Sequence, residues 1–154
     1  MAQNYEFKEV TVAARLVAGV RDVVPRGRVG QFFGRSLDQV YAAGKAGQVA
    51  LDGQNIFIYR AATPTELTVD FCVGVKAPFE AVGAVQPLET PAGNAAMTTH
   101  RGDYAGLGDA NAAIIEWCRA NDRRRAGPSW EVYGHWDPDP SKLRTDVYWL
   151  LLPA

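Results

Sequence analysis

Apolar residues recur three or four positions apart in two stretches of the chain, residues 30–45 and 104–122. In the first stretch these positions are Phe33, Leu37, Val40 and Tyr41. In the second they are Leu107, Ala110, Ile114, Trp117 and Cys118. This spacing places the apolar side chains on one face and predicts two amphipathic helices. Asp103, which precedes the second stretch, is the predicted N-cap.

Each predicted helix is followed by the same arrangement of an alternating strand, a proline-containing turn and a second strand. The matched positions are Tyr59 with Tyr133, Pro64 with Pro140, Leu67 with Leu143 and Asp70 with Asp146. They are 74 residues apart at the tyrosines and 76 from the prolines onward. A strand is also predicted before each helix, at about residues 9–20 and 94–100. The chain therefore contains two pseudo-repeats, about residues 5–75 and 82–152, each with the order strand, helix, hairpin.

Two such halves predict an α+β fold, in which a mostly antiparallel sheet carries two long helices on one face. A period near 75 is too long for a solenoid repeat, so we expect one domain over residues 1–154. The segment from about residue 74 to 90 contains Pro78 and Pro87. It is interpreted as the crossover between the halves, with an edge strand.

Strand alternation divides the predicted hairpins into two faces. Ile56, Ile58, Trp130 and Val132 share one face, which we expect to pack against the helices. The opposite face then collects the candidate ligand-binding residues Phe57, Tyr59, Glu131, Tyr133 and Tyr148, together with Asp146. A group of aromatic residues that no helix covers is typical of a ligand cleft. A covering loop or a homodimer partner would be the purely structural alternative.

Glu131 is the carboxylate in the middle of this aromatic group, with Trp136 as a further candidate contact nearby in the sequence. Aromatic rings around a carboxylate suit a lipophilic cation, since each desolvated ring adds roughly 0.5–2 kcal/mol of cation–π attraction. The same surroundings suit a general acid or base. A solvated glutamate without a role is the simpler alternative. The residue pattern by itself leaves binding and catalysis open.

Composition and missing motifs exclude several other classes of function. The net charge of the 154 residues is -1, so no overall positive field attracts nucleic acid. Two cysteines without a CxxC spacing and only two histidines predict no metal site, and no cofactor is expected. No nucleophile elbow is present, and His100 is expected to be structural. Without a signal peptide or an apolar run of roughly 18 residues, a cytoplasmic protein with no membrane contact is expected.

An ordered set of motifs extends through the second half of the chain. It consists of His100-x-Gly102-x-Tyr104, Leu107 and Trp117, Gly127-Pro128-x-x-Glu131-x-Tyr133, and Asp137-Pro138. At these residues the sequence resembles the GyrI-like small-molecule-binding family. That family includes the effector-binding domains of multidrug-responsive transcription activators and stand-alone gyrase-inhibitory proteins.

The resemblance implies a pseudo-twofold fold with a central cleft that binds lipophilic, often cationic molecules. It assigns Glu131 as the buried acid facing the positive charge of the ligand and Tyr133 as a cleft aromatic. Some relatives are hydrolases that open strained cyclopropane-bearing toxins with an equivalent glutamate, which makes Glu131 the catalytic acid/base in the alternative function. Inhibition of gyrase through the surface is the third possibility.

The chain departs from the activator proteins because no helix-turn-helix or coiled-coil pattern precedes the motifs. We therefore expect a stand-alone binder of a lipophilic small molecule, monomeric or homodimeric, that does not contact DNA directly.

Overall fold

Two compact units make up residues 3–153, which are the residues that this computed structural model describes. The first unit contains residues 14–90, and the second contains residues 3–13 and 91–153. In chain order the strands are β1 (Lys8–Val12), β2 (Leu16–Pro25), β3 (Leu51–Ala62), β4 (Glu66–Val75), β5 (Gln86–Glu89), β6 (Gly93–Arg101), β7 (Arg125–Tyr133) and β8 (Arg144–Leu151). The helices are α1 (Val29–Lys45) and α2 (Leu107–Ala120).

The first unit is an antiparallel sheet in the order β3-β4-β2-β5, with α1 packed on β2 and β4. The buried face of α1 presents Ser36, Leu37, Val40 and Ala43. The helix predicted at residues 30–45 is confirmed, and it begins one residue earlier. The edge strand expected between residues 74 and 90 is β5.

The second unit is an antiparallel sheet in the order β1-β6-β8-β7, with α2 packed on β6 and β8. The predicted second helix is shorter than expected, because a 3-10 helix over Tyr104–Gly106 precedes α2. The carboxylate of Asp103 accepts a hydrogen bond of 2.9 Å from the Ala105 amide and so caps that 3-10 helix. Gly102 has a φ of +109°, a conformation that glycine adopts without strain, where the chain turns from β6 into this cap.

The single strand predicted at residues 9–20 is wrong. Two strands occupy this region, β1 in the second unit and β2 in the first, with Ala13, Ala14 and Arg15 between them. No glycine or proline marks the point where the chain leaves the second unit for the first. The local pattern therefore carried no signal for the break.

The observed architecture is the predicted α+β class. The described residues contain eight strands and two helices, and the strand pairs within each unit are antiparallel. Each unit repeats the predicted order of strand, helix and hairpin, as β2-α1-β3-β4 and β6-α2-β7-β8. Among residues 3–153 no helix has the length and apolar character needed to cross a membrane.

Candidate functional site

Glu131 lies near the C-terminal end of β7, and only 4% of its surface is exposed. In the antiparallel register it stands opposite Val147 of β8. Val147 belongs to the apolar cluster that α2 forms with the sheet, together with Ile114 and Leu107. Glu131 is therefore directed toward α2.

Two neutral donors hold the carboxylate of Glu131. The hydroxyl of Tyr133 donates to Oε1 over 2.7 Å, and Nδ2 of Asn111 on α2 donates to Oε2 over 3.3 Å. Hydrogen bonds to an ionised acceptor are stronger than bonds between neutral groups. Both oxygens of the buried carboxylate thus have a donor within the second unit.

The amide of Asn111 has further partners that define which way it points. Its Nδ2 also donates to the Leu107 carbonyl oxygen over 2.9 Å, and its Oδ1 accepts a bond of 2.9 Å from Nε1 of Trp149. Because an indole nitrogen only donates and a carbonyl oxygen only accepts, these partners fix the amide with Nδ2 toward Glu131.

Aromatic rings line this side of the second unit. The rings of Tyr104 and Tyr133 meet edge to face with centroids 5.4 Å apart. Trp149 and Tyr133 both pack against the apolar cluster, and the guanidinium of Arg125 lies 5.1 Å from the centroid of the Trp149 ring. Burial raises the pKa of Tyr104, so its hydroxyl stays protonated at neutral pH. The result is a half-buried aromatic setting around one carboxylate.

The expectation that Glu131 and Tyr133 lie on the face without helices is wrong. Alternation correctly placed the two side chains together, but Asn111 of α2 bonds to Glu131, so this is the helix-bearing face. The prediction assumed that only apolar residues pack beneath a helix. A carboxylate with two donors avoids most of the cost of burial that this assumption rests on.

Tyr148 does not join Glu131. It stacks on Trp130 with ring centroids 5.0 Å apart and an interplanar angle of 5°, and these two residues are register partners. Glu131 pairs with Val147, so Tyr148 and its neighbour Asp146 fall on the opposite face. The sequence pattern does not reveal strand register, and this is why Tyr148 was wrongly grouped with Glu131.

The other candidate residues belong to the loop after β7 or to the first unit. Trp136 lies between β7 and the 3-10 helix Pro140–Lys142 and is 72% exposed. Phe57 lies in the first unit, packed against Phe33 of α1 and Phe71 of β4 with centroids 5.8 and 5.0 Å away. Tyr59 follows two residues later on β3 and is half-buried.

Three residues in contact with Glu131 or with one of its hydrogen-bond partners were absent from the predicted site. They are Asn111, Trp149 and Tyr104. A signal for Asn111 was present, since it follows Leu107 by four residues and so interrupts the apolar stripe of α2 with an amide. Trp149 could be placed only with the register of β8.

His100 is buried between Tyr5 and the turn before α2. Its Nε2 lies 2.8 Å from the Asp103 carbonyl oxygen, and its Nδ1 lies 2.8 Å from the Tyr5 hydroxyl. A carbonyl oxygen can only accept, so Nε2 carries the proton in this arrangement. Within residues 3–153, no group of three or more histidine, cysteine, aspartate and glutamate side chains has the geometry to hold a metal ion.

A comparison with models of known protein families identifies the family of this chain. The model of the GyrI-like small molecule binding domain matches residues 5–152, which is nearly the whole chain. The chain belongs to the GyrI-like family. Glu131 and Tyr133 lie within the matched residues of this GyrI-like domain, and the structure joins them by a hydrogen bond. A comparison with curated proteins finds no match.

Solved structures share the fold of this GyrI-like domain at low sequence identity. The C-terminal domain of EcmrR superposes with a TM-score of 0.74 and 19% identity, and the match covers all of both chains. EcmrR in its complex with DNA gives a TM-score of 0.83 at 18% identity, over 97% of this chain and 58% of that one. The chain thus spans little more than half the length of that EcmrR protein.

Two further solved structures with the same fold are a hydrolase and a protein bound to a lipophilic cation. A hydrolase from Listeria innocua has a TM-score of 0.65 and 13% identity, over 96% of this chain and 92% of that chain. SAV2435, solved bound to tetraphenylphosphonium, has a TM-score of 0.64 and 9% identity over 96% and 94% of the two chains. At such identities the comparison establishes a shared fold.

Proposed function

We propose that this GyrI-like domain binds a lipophilic, positively charged small molecule, with Glu131 facing the positive charge. The observation that carries the proposal is a carboxylate only 4% exposed among the rings of Tyr133, Tyr104 and Trp149. Membership of a small-molecule-binding family and the tetraphenylphosphonium complex of SAV2435 support it. Phe57, Tyr59 and Trp136 stay predicted contacts of the ligand. Tyr148 is no longer proposed as one, because it lies on the face opposite Glu131.

The chemistry of the ligand follows from the cost of burying charge. A compact ammonium ion is strongly hydrated and expensive to bring beside a buried carboxylate. A cation whose charge is spread over apolar groups loses little hydration, and it gains both the attraction of the carboxylate and contact with aromatic rings. The proposed site therefore favours bulky cations of low charge density.

Two probes of the same shape and opposite charge test the proposal: tetraphenylphosphonium and tetraphenylborate. Isothermal titration of the wild type is expected to show binding of the phosphonium and much weaker binding of the borate. Glu131→Gln keeps the size of the side chain and removes its charge, so it should weaken phosphonium binding by about 30-fold or more. It should also remove most of the preference between the two probes.

Glu116→Gln is the matched control. Glu116 lies on α2, 62% exposed and paired with Arg119, so its replacement removes the same charge from the surface. We expect the control to bind both probes as the wild type does. The proposal fails if Glu131→Gln retains the full preference for the cation, or if Glu116→Gln loses as much of it.

A hydrolase that opens a strained cyclopropane is the second candidate. The bond of 2.7 Å between Tyr133 and Glu131 favours it, because a carboxylate and a phenol in contact can pass a proton. Glu131 would take a proton from water as the water oxygen bonds to a ring carbon. The strained carbon–carbon bond breaks, and its electron pair takes the Tyr133 proton, which Glu131 then replaces. The sum of these steps is the addition of one water.

Mass spectrometry of cyclopropane-bearing electrophiles incubated with the protein separates the two functions. Hydrolysis gives a product heavier by one water with the wild type, none with Glu131→Gln and less with Tyr133→Phe. Tyr41→Phe in the first unit is the control, since Tyr41 bonds to Asn55 and takes no part in the proposed step. Unchanged compounds recovered from every variant would reject the hydrolase.

A further inference from the structure

Asn111 is a polar residue at a position where α2 is otherwise apolar. It is half-buried, and Leu107, Ala110 and Ile114 around it on the helix are buried in the apolar cluster. Asparagine is among the poorer helix formers, because its side chain competes for backbone hydrogen bonds. Helix stability alone would therefore favour an apolar residue here.

The first unit has no amide at the related position of its helix. The residues with positive φ that follow the two helices, Gly47 and Asp122, are 75 residues apart. The same offset relates Asn111 of α2 to Ser36 of α1, which is 1% exposed. Where the second unit has an amide beside Glu131, the first unit therefore has a small hydroxyl side chain.

We infer that Asn111 is the positioning residue of Glu131 and that Trp149 fixes the orientation of its amide. The chain of bonds runs from Trp149 Nε1 to Asn111 Oδ1 over 2.9 Å and from Asn111 Nδ2 to Glu131 Oε2 over 3.3 Å. If the amide turned over, Oδ1 would face the Leu107 carbonyl and the carboxylate, and Nδ2 would face the indole donor. All three contacts would then be repulsive, so Trp149 and Leu107 select the orientation that donates to Glu131.

Because its own amide is fixed, Asn111 also fixes the orientation of the Glu131 carboxylate. Tyr133 fixes Oε1 and Asn111 fixes Oε2, so rotation of the carboxylate breaks at least one of the two bonds. A preorganised acceptor does not have to be ordered when a cation arrives, and affinity gains accordingly. The inference rests on the proposed function, for which it supplies a residue that determines specificity.

The test measures tetraphenylphosphonium binding by Asn111→Leu, which keeps a side chain of similar size and removes the amide. Loss of a hydrogen bond to a charged group predicts affinity lower by about 10-fold. Asn121→Leu is the matched control on the same helix. Asn121 also donates to the carbonyl four residues earlier, that of Trp117 over 2.8 Å, and it is exposed at the C-cap. We expect Asn121→Leu to bind the probe as the wild type does.

Trp149→Phe keeps an aromatic ring beside Arg125 and removes only the indole donor. It should weaken binding by about 3-fold, because the amide of Asn111 is then free to turn. The double variant should lose about 10-fold, as Asn111→Leu alone does, since both changes act through one amide. A purely structural effect would instead give losses that multiply to about 30-fold.

Crystal structures of the two single variants decide the inference independently of any ligand. We expect a rotated Glu131 carboxylate in Asn111→Leu and a turned amide in Trp149→Phe. A carboxylate unmoved in both, affinities equal to wild type, or losses that multiply would overturn the role of Asn111. If Asn111→Leu does not fold, Trp149→Phe carries both readouts. Binding measurements on Glu131→Gln test the proposed function separately. If they show that Glu131 does not bind the cation, the crystal structures still show whether Asn111 orients the carboxylate.

Discussion

The two units have the same order of strand, helix and hairpin but carry different residues at one equivalent strand position. Two residues before the matched tyrosines stand Phe57 in the first unit and Glu131 in the second. Each faces the helix of its own unit: Phe57 packs on Phe33 of α1, and Glu131 bonds to Asn111 of α2. A position beneath a helix therefore accepts either a ring or a carboxylate, provided that the helix supplies the matching partner.

The difference extends to the strand opposite. Phe57 faces Phe71 in the register, and the two rings meet edge to face, whereas Glu131 faces Val147. The aromatic pair fills the space that a carboxylate and its donors take up in the other unit. The first unit is consequently the better candidate for a stable core, and the second for a binding site.

The largest effect is expected when the first unit receives the carboxylate of the second. Phe57→Glu puts a carboxylate between the rings of Phe33 and Phe71, where the loss of packing and the burial of charge add. We expect the free energy of unfolding to fall by about 4 kcal/mol or more in urea denaturation.

Phe57→Leu is the control for that exchange, because it shortens the side chain without adding charge. It should cost about 1–2 kcal/mol. Equal losses in the two variants would show that volume alone decides this position, and the contrast with Glu131 would lose its physical basis.

A second comparison concerns the matched aspartates of the two hairpins. Asp70 is fully buried, and its carboxylate accepts from Arg21 and Arg60 over 2.6 and 2.7 Å. Asp146 is 20% exposed and bonds to Arg144 and to the hydroxyl of Thr99. The buried aspartate lies between two cations, and the partly exposed one relies on weaker partners.

Replacing each aspartate by asparagine sharpens this contrast. Asp70→Asn leaves two guanidinium groups against a neutral amide and should lower the free energy of unfolding by about 3 kcal/mol. Asp146→Asn should cost less than about 1 kcal/mol. Urea midpoints of the two variants, measured beside the wild type, check the ratio. Equal costs would contradict the structural difference between the two ion pairs.

The smallest expected effect concerns the cysteines, one in each unit. Burial, reinforced by the charge of Asp70, raises the pKa of the Cys72 thiol, and burial also raises the pKa of Cys118. The unfolded chain then ionises first, so the stabilisation is complete below the unfolded pKa of about 8.5. It is lost as the pH rises from there toward the folded pKa, by at most about 1.4 kcal/mol per pH unit for each thiol.

Urea unfolding at about pH 8 and about pH 10 measures this loss. Between the two, Cys72→Ala should lose up to about 2 kcal/mol less stability than the wild type. Cys118→Ala is the matched variant, and it keeps the contribution of Cys72. An alkaline loss in Cys72→Ala as large as in the wild type would show that this thiol does not carry the effect.

Local patterns were sufficient to predict the helices, the hairpins and their duplication. The stripes around Leu37 and Ile114 are consequences of helix geometry, so the sequence alone reveals them. Two features required information about distant strands. The separation of β1 from β2 depends on which strands each pairs with, and the grouping of Tyr148 and Trp149 with Glu131 depends on the register with β7.

Only the part of the candidate site that depends on local pattern was predicted. Glu131 and Tyr133 are brought together by alternation within one strand, and their hydrogen bond agrees with that expectation. Asn111 and Trp149 come from α2 and β8, and only the packing of helix on sheet connects them to β7. A polar residue on an apolar stripe is the local trace that such packing leaves in a sequence.

The bond from Trp149 to Asn111 has an optical consequence. Indole emission responds to the partner of its N–H group, and this partner is one hydrogen bond away from Glu131. A movement of the Glu131 carboxylate is therefore expected to change the emission of Trp149, because two hydrogen bonds connect them. With the other three tryptophans replaced, Trp149 becomes an intrinsic fluorescent reporter of the site that requires no attached dye.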